Sequence, residues 1–229
     1  MKNKLRIYHI GDTHGNHDLL KVPSNIDMII HSGDESNYLN PYKNEPETRD
    51  FLEWYGNLDI KYKVFVAGNH STAICKNLIT RKEIEEKGII YLENEEVVIE
   101  GYKIWGSPFS PTFGNWAFMK SRNTINRLWD NIPDDTDILI THSPPQGVLD
   151  LTYHGVELKQ VGCSALMKRV MKIKPKLHLF GHIHNTQEGL QNAGTTRLST
   201  LPETLFSNGS VVTDGRFGIL TSNGNVIEL

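Results

Sequence analysis

Residues 176–185 read KLHLFGHIHN, a short apolar run that ends in a glycine and two histidines separated by one residue. Side chains at positions i and i+2 of an extended segment point to the same side. His182 and His184 therefore direct two imidazoles at one spot. Such a pair either binds a metal ion or lies in a solvated turn, and the other loops of the chain decide between these two interpretations.

The same arrangement of an apolar run and a polar loop recurs four more times. The runs are LRIYHI (5–10), IDMIIH (26–31), KYKVFVA (61–67) and TDILIT (136–141). Short runs rich in Ile, Val and Leu and bounded by Gly or Pro are typical of buried strands. Helices are predicted over residues 45–58, with Pro46 near the start, and over residues 77–88, 122–131 and 161–174.

The remaining segments complete the prediction of the fold class. Residues 95–108 predict a β-hairpin, and the tail from Thr195 to Leu229 predicts several short strands. Strands that alternate with helices and are followed by hairpins indicate an α/β fold with mixed sheets. Because we find no linker, low-complexity segment or internal repeat, residues 1–229 are predicted to form a single domain.

Composition and charge exclude several classes of protein. The 229 residues are 38% hydrophobic and carry a net charge of −3, so we expect neither a disordered chain nor an extended nucleic-acid surface. No apolar run approaches the ~20 residues of a membrane span, and the first residues do not resemble a signal peptide. Two distant cysteines are too few for a disulfide framework. We expect a soluble, cytoplasmic protein with no membrane partner.

The loops after the predicted strands carry candidate metal ligands. In α/β folds, ligands bind beyond the carboxyl ends of the strands. In chain order, the five loops present Asp12 and His14, Asp34, Asn69 and His70, His142, and His182 and His184. Carboxylate and imidazole together suit Mn, Fe, Zn or Ni better than Ca or Mg. We therefore interpret His182 and His184 as metal ligands. The histidines inside strand runs are interpreted as core residues: His9, His31 and His178.

These motifs, in this order, resemble those of the calcineurin-like metallophosphoesterase superfamily. They are D-x-H at Asp12–His14, G-D at Gly33–Asp34, G-N-H at Gly68–His70, a lone His142, and G-H-x-H at Gly181–His184. One such motif is weak evidence, whereas five in order at strand ends are strong evidence. Stretches such as KYKVFVAGNH, DILITHSPPQGVLD and KLHLFGHIH are similar to the small metallophosphodiesterases first noted in mammalian brain.

The resemblance implies a fold, a cofactor and residue roles. The implied fold is a four-layer α/β/β/α sandwich of two mixed sheets with flanking helices. The implied cofactor is a pair of divalent transition-metal ions, with Mn expected first and Fe, Zn, Ni or Co as alternatives. One ion would be held by Asp12, His14 and His184, the other by Asn69, His142 and His182, with Asp34 as the bridge. His70 is predicted to be the general acid, and Asn69 to contact the substrate as well as a metal.

One position departs from the family pattern. The family usually follows G-N-H with Asp or Glu, whereas this chain has Ser71. A hydroxyl raises the basicity of a neighbouring histidine less than a carboxylate does, so we expect an effect on acid catalysis rather than on metal binding.

The substrate is expected to be a small phosphodiester or nucleotide. Protein phosphatases of the superfamily continue G-D-x-x-D-R-G, and this chain reads GDESNYL, without that arginine. The stretch IWGSPFSPTFGNWAF (104–118) offers aromatic side chains on which a base can stack, and we predict Trp105 and Trp116 as substrate-binding, with Phe109 and Phe113 as further candidates. We expect cyclic nucleotides, either 2′,3′ or 3′,5′; the sequence leaves the oligomeric state open.

Three alternatives are weighed against this prediction. The fold can serve as a non-catalytic scaffold, but the apparently intact ligand set favours an enzyme. A phosphomonoesterase or protein phosphatase of the same superfamily is the second alternative. A metallo-β-lactamase-type hydrolase is the third, because THGNHD (13–18) is superficially similar to H-x-H-x-D-H; that motif requires a histidine where Asn16 stands.

Overall fold

A computed structural model describes residues 4–214 and 218–229. The strands are β1 (Arg6–Ile10), β2 (Met28–His31), β3 (Tyr62–Phe65), β4 (Ile90–Tyr91), β5 (Glu95–Ile99), β6 (Tyr102–Ser107), β7 (Ser110–Pro111), β8 (Met119–Lys120), β9 (Ile138–Thr141), β10 (Leu151–His154), β11 (Glu157–Gln160), β12 (Leu177–Phe180), β13 (Gly194–Leu198), β14 (Leu201–Asn208) and β15 (Asn225–Glu228). The helices are α1 (Pro41–Gly56), α2 (Thr72–Cys75), α3 (Arg81–Glu85), α4 (Asn126–Trp129) and α5 (Ser164–Ile173), with a 3₁₀ turn at His17–Leu19.

Two mixed sheets form the centre of the fold. The first has the strand order β15-β1-β2-β3-β4, and the second has the order β13-β14-β12-β9-β6-β5. Neighbouring strands β1, β2, β3 and β4 are parallel, as are β6, β9, β12 and β14. The carboxyl ends of these parallel strands therefore lie on one edge of each sheet. The predicted hairpin is confirmed as the antiparallel pair β5–β6.

Alternating side chains divide the core into three layers. Ile7, Met28 and Ile30 of the first sheet pack with Ile138 and Leu179 of the second sheet, so the two sheets face each other. The outer face of the first sheet, including Tyr8 and Phe65, packs on α1, α2 and α3; that of the second sheet packs on α4 and α5. The predicted four-layer α/β/β/α sandwich is therefore confirmed.

The first helix begins earlier than predicted. Helix α1 starts at Pro41, and Pro46 lies inside it rather than near its start. Asn40 sets this start because its side chain accepts a hydrogen bond of 3.0 Å from the Tyr42 N–H, and Pro41 takes the first helical position. In the described parts of the chain, no helix combines the length and the apolar character needed to span a membrane.

The three strand histidines are core residues, as predicted. His9, His31 and His178 are fully buried, and burial lowers the pKa of each to about 3. Their rings bond to neighbouring hydroxyls: His9 to Ser207 and Ser32, His31 to Thr13, and His178 to Thr141. The ring of His9 thus joins the two sheets, from β1 to β14, and the ring of His178 joins the neighbouring strands β12 and β9.

Candidate metal centre

The predicted ligands meet at the edge where the parallel strands of both sheets end. Their loops follow β1, β2 and β3 of the first sheet and β9 and β12 of the second. Three groups of residues place their ligand atoms within 4.8 Å of one another: Asp12, His14 and His184; His14, Asp34 and His70; and Asp34, His142 and His182. Asn69 lies beside the third group, with its Oδ1 2.9 Å from the Nε2 of His142. All seven predicted ligand positions are thus brought together.

Backbone carbonyls set the tautomers of four histidines at this edge. A carbonyl oxygen only accepts hydrogen bonds, so each Nδ1 must carry a proton, and Nε2 is the ring nitrogen left to bind a metal ion or a second proton. The pairs are His14 with Ser36 (3.0 Å), His70 with Asn37 (2.9 Å), His142 with Ser32 (3.0 Å), and His184 with Thr213 (3.2 Å). The same Nδ1–H to carbonyl contact orients metal-binding histidines in proteins.

His14 provides the clearest test of whether a metal ion fits. Its Nε2 is buried and has no hydrogen-bond partner among the described atoms, and such an orphaned polar atom is costly unless something else binds it. Burial lowers the pKa of His14 to about 3, so the ring is neutral and has a free lone pair. Burial likewise lowers the pKa of His182 to about 3. Neutral imidazoles beside carboxylates are the donors that a divalent transition metal prefers.

Asp34 lies between the two predicted metal sites. Its Oδ1 accepts the His70 N–H at 2.7 Å. Its Oδ2 lies 3.3 Å from the Nε2 of His142 and 3.9 Å from the Nε2 of His14, which belong to different predicted metal sites. Burial raises the pKa of Asp34, but His142, His70 and His14 together outweigh burial and hold this pKa well below its ordinary value. Asp34 is therefore an anion with one oxygen directed between the two groups.

The Asp12 carboxylate is held in place by the loop that bears His182 and His184. Its carboxylate accepts the His182 N–H at 2.9–3.0 Å and the Ser210 hydroxyl at 2.7 Å. Oδ1 lies 3.1 Å from the Nε2 of His184. Burial raises the pKa of Asp12, but His184 and His142 together outweigh burial and lower the pKa below its ordinary value. Asp12 thus aligns the first and last motifs of the site.

The protonation of His142 makes metal binding depend on pH. Burial lowers the pKa of His142, but Asp34, Asp12 and the carbonyl of Ser32 together outweigh burial and raise this pKa to about 9. These groups therefore hold a proton on the ring when no cation is bound. A divalent ion has to displace that proton, so metal affinity falls as the pH is lowered.

Glycines in the motifs allow the ligand loops to approach closely. A Cβ at Gly33 would lie 2.4 Å from the Nδ1 of His142, and a Cβ at Gly181 would lie 2.1 Å from the Oδ2 of Asp12. Neither distance is compatible with a real side chain. Gly33 and Gly181, which precede Asp34 and His182, are therefore required because a candidate ligand of another loop occupies the space of the side chain.

We expect Gly181→Ala to displace the Asp12 carboxylate and so to deplete the metal held with His14 and His184. The overlap should also cost about 1–3 kcal/mol of stability, as overpacking does. Metal content by elemental analysis and urea unfolding of the metal-free protein measure the two effects. Gly155→Ala is the control for metal content, because a Cβ there meets nothing within 4 Å; its φ of +66° means that this alanine also lowers stability. Full metal content in Gly181→Ala would contradict the expectation.

A cavity of about 460 Å³ opens in front of the ligands. Trp116 lies on its wall with its ring centroid 4.4 Å from that of His70. Phe113 lies on the same wall, 57% exposed, with its ring 5.2 Å from that of His182. Asn69 and His70 also line the cavity. Trp116, Phe113, Asn69 and His70 thus face one space.

The prediction that Trp105 binds substrate is wrong. Trp105 is 2% exposed and packs in the core with Trp129, at a ring separation of 6.5 Å. It lies on β6, whose residues alternate between the two faces of the second sheet, and its side chain faces the helical layer. Phe109 is also half-buried, against Phe118. Of the four aromatic candidates, Phe113 and Trp116 remain at the cavity.

The family model described as calcineurin-like phosphoesterase matches residues 5–186. The chain belongs to this family. The match includes every predicted ligand, from Asp12 to His184. The geometry of this calcineurin-like phosphoesterase therefore agrees with the resemblance that its motifs carry, and its candidate ligand groups suit the divalent metals that the family uses.

The relatives of this calcineurin-like phosphoesterase include animal proteins. It is 34% identical over 215 residues to metallophosphoesterase domain-containing protein 1 of Homo sapiens. This alignment covers 83% of the present chain and 64% of the human protein. The chain thus spans less than two thirds of that relative. It is 33% identical over 205 residues to a UPF0046 protein of Caenorhabditis elegans, covering 84% and 68% of the two chains. A solved protein of Thermus thermophilus shares the fold, with a TM-score of 0.61, 13% identity, and coverage of 90% and 89%.

Ser71, where the sequence departs from the family pattern, contacts a carboxylate from another loop. Its hydroxyl donates a hydrogen bond of 2.5 Å to the Oε2 of Glu35, a fully buried side chain next to Asp34. Burial raises the pKa of Glu35, and the hydrogen bonds from Ser71 and Thr48 oppose this increase. Sequence reasoning missed Glu35 because 36 residues separate the two partners, and the GDES motif alone does not show which way its glutamate points.

Proposed function

We propose that this chain is a metal-dependent phosphodiesterase that hydrolyses small phosphodiesters, with cyclic nucleotides as the leading substrates. The proposal depends above all on the position of Asp34. Its carboxylate lies between the group that contains His14 and the group that contains His142 and His182. Divalent cations held there would supply Lewis-acid activation of a water and would neutralise charge on a transferring phosphoryl group. The ligand chemistry suits Mn, Fe, Zn, Ni or Co, and we propose Mn first.

The side chains of the site have separate tasks. Asp34 has its Oδ2 near the Nε2 atoms of both His14 and His142, so it would help to hold an ion at either predicted site, and its negative charge would reduce the repulsion between two dications. Asn69 places an amide oxygen beside His142 and lines the cavity. His70 donates its Nδ1 proton to Asn37, so its Nε2 is the atom that can carry and release a second proton. We propose that this Nε2 protonates the leaving oxygen.

The charge of the cavity favours a diester over a monoester. Among the described residues that line it, one side chain is a lysine or arginine, namely Arg122. Its guanidinium donates to the carbonyls of Val161 and Gly162, at 2.8 and 3.1 Å. A monoester or phosphoprotein brings nearly two negative charges to the site and is usually gripped by more arginine or lysine donors. A diester brings one charge, which matches this lining better.

The aromatic wall favours a substrate with a base. Phe113 and Trp116 stand beside His182 and His70, so a base stacked on them is next to the metal positions. Base stacking is worth about 1–3 kcal/mol per base. That energy suffices to favour a nucleotide over a simple ester of the same charge.

Trp116→Ala is expected to raise KM for cyclic nucleotides about tenfold, from the loss of one stacking surface. Its kcat/KM for bis(4-nitrophenyl) phosphate should fall less, because the small aryl groups use less of the wall. Trp105→Phe is the matched control: we expect it to lower thermal stability through the core and to leave KM unchanged. Equal effects of the two variants on KM would contradict the stacking role.

The proposed activity is tested on a panel of substrates with metal-loaded protein. The panel contains 4-nitrophenyl phosphate, a phosphopeptide, bis(4-nitrophenyl) phosphate, and 2′,3′- and 3′,5′-cyclic nucleotides. We expect the highest kcat/KM on a diester, and activity should be lost in chelator. A higher value on a monoester or phosphopeptide than on every diester would make the chain a phosphomonoesterase. Full metal loading without any hydrolysis would favour a scaffold on the same fold.

A further inference from the structure

The Glu35 carboxylate is the centre of a buried hydrogen-bond network behind the candidate site. Its Oε2 accepts the Ser71 hydroxyl at 2.5 Å. Its Oε1 accepts the Thr48 hydroxyl at 2.8 Å and the Ser36 hydroxyl at 3.2 Å. All four side chains are fully buried. Three hydroxyls converge on this one buried side chain, so Glu35 links the loop that bears Ser36, helix α1 and the turn that ends at Ser71.

The Ser71 hydroxyl connects Glu35 to the turn that carries Asn69 and His70. While it donates to Glu35, the same oxygen accepts the Gly68 N–H at 2.8 Å. Gly68 and Ser71 are the residues immediately before and after the Asn69–His70 pair. The bond to Glu35 therefore orients a hydroxyl that closes this turn, and the turn sets where the His70 ring stands.

His70 is held at three further points, mostly by the same short loop. Its N–H donates to Asp34, and its Nδ1–H donates to the carbonyl of Asn37. Its carbonyl accepts the Asn44 side chain at 2.7 Å. Asn44 also donates to the Ser36 hydroxyl at 2.6 Å, which in turn donates to Glu35. Residues 34–37 thus contact His70 through Asp34 and Asn37, and Glu35 connects the same loop to the turn that ends at Ser71.

We propose that Glu35 is a positioning residue that keeps the His70 Nε2 directed at the leaving oxygen. The proposal rests on the proposed function, because it gives His70 a proton to deliver. Glu35 faces Ser71, Thr48 and Ser36 rather than the cavity, so it acts through the turn and not on the substrate. The carboxylate that this chain lacks at position 71 is supplied by position 35, and its bond passes through the Ser71 hydroxyl.

The test uses Glu35→Gln and Ser71→Ala in the full chain loaded with metal. A misdirected catalytic group costs up to ~10²-fold in rate, so we expect kcat on an alkyl diester to fall about tenfold or more in each variant. On bis(4-nitrophenyl) phosphate, whose leaving group needs little protonation, the fall should be less than about threefold. Metal content should stay near that of the wild type. The double variant should lose little more than either single one, because both remove the same link.

Two further measurements separate positioning from a general loss of structure. In a His70→Ala background, Glu35→Gln should cause no additional loss on the alkyl diester. Hydrogen exchange of the His70 backbone amide, which requires no substrate, should accelerate in Glu35→Gln and Ser71→Ala. Thr48→Val is the matched control: it removes a bond to the other oxygen of Glu35, and should lower stability while leaving the leaving-group dependence unchanged.

The outcomes distinguish this proposal from the proposed function. A wild-type protein that hydrolyses no diester would refute the activity, whatever the exchange data show. Two results with an active wild type would overturn the positioning role. In one, Glu35→Gln lowers kcat equally on the alkyl diester and on bis(4-nitrophenyl) phosphate; in the other, it lowers kcat further in the His70→Ala background. Loss of bound metal in Glu35→Gln would also overturn it, since Glu35 would then support the metal ligands instead. If Glu35→Gln does not fold, Ser71→Ala decides the same question.

Discussion

Asp34→Asn is expected to lose both metal ions and nearly all phosphoesterase activity. Its Oδ2 lies near the Nε2 atoms of both His14 and His142, so one substitution removes a ligand from each metal position. An amide has no net charge to offset two dications at close range. Because residues that only support a ligand cost 10–100-fold in metal affinity or activity, we expect this shared ligand to cost more than ~100-fold. Elemental analysis and the diester assay measure the two losses.

Two other aspartates provide the controls. Asp12→Asn should deplete the ion held with His14 and His184 while sparing the other ion, because Asp12 belongs to one ligand group. Asp150 is also buried, and accepts the N–H groups of Gly147 and Gly162 away from the ligands. Asp150→Asn should therefore reduce stability without reducing metal content. Two stoichiometric ions retained in active Asp34→Asn protein would refute the bridge.

His70→Asn should lower kcat by about 10²–10⁴-fold for a diester with a poor leaving group, the range typical of general acid catalysis. The loss should be much smaller for bis(4-nitrophenyl) phosphate, because its phenolate departs without protonation. His70 lies close to His14 and Asp34, but we assign it no metal. Metal content should therefore stay near normal in this variant. Steady-state kinetics on both substrates and elemental analysis give these values.

The control for this variant is His154→Asn, the same substitution at an exposed position of β10. It should leave the rates on both substrates unchanged. Equal losses in His70→Asn on the two diesters would remove the acid role and leave His70 a binding residue. A loss of metal in parallel with the loss of rate would make His70 a ligand.

The strands and the ligand loops are predictable because residues that are neighbours in the sequence are also neighbours in the fold at these positions. Each of the five strand runs ends directly before its ligands, and parallel strands bring those ends to one edge. The order of the motifs then implied the family. The start of α1 was placed too late because Asn40 and Pro41, which cap and begin it, precede the acidic stretch that suggested a helix.

Other features depend on contacts that a linear pattern does not contain. Trp105 and Trp116 occur in one aromatic-rich stretch, yet β6 buries the first and a loop exposes the second to the cavity. A strand of six residues offers both faces, and the side that faces the helices is decided by the opposing layer. The bond from Ser71 to Glu35 likewise joins two loops of different strands.

The distribution of the ligands over two sheets has a consequence for the biogenesis of the protein. The Asp12 carboxylate accepts an N–H from His182, 170 residues further along the chain. A nascent chain that has completed only the first four strands contains Asp34 but none of the ligands after β9 and β12. Such distant contacts form late, after the entropy of long loops has been lost. We therefore expect metal binding to follow the folding of the chain rather than to nucleate it, because the set of candidate ligands is complete only after His182 and His184 have left the ribosome.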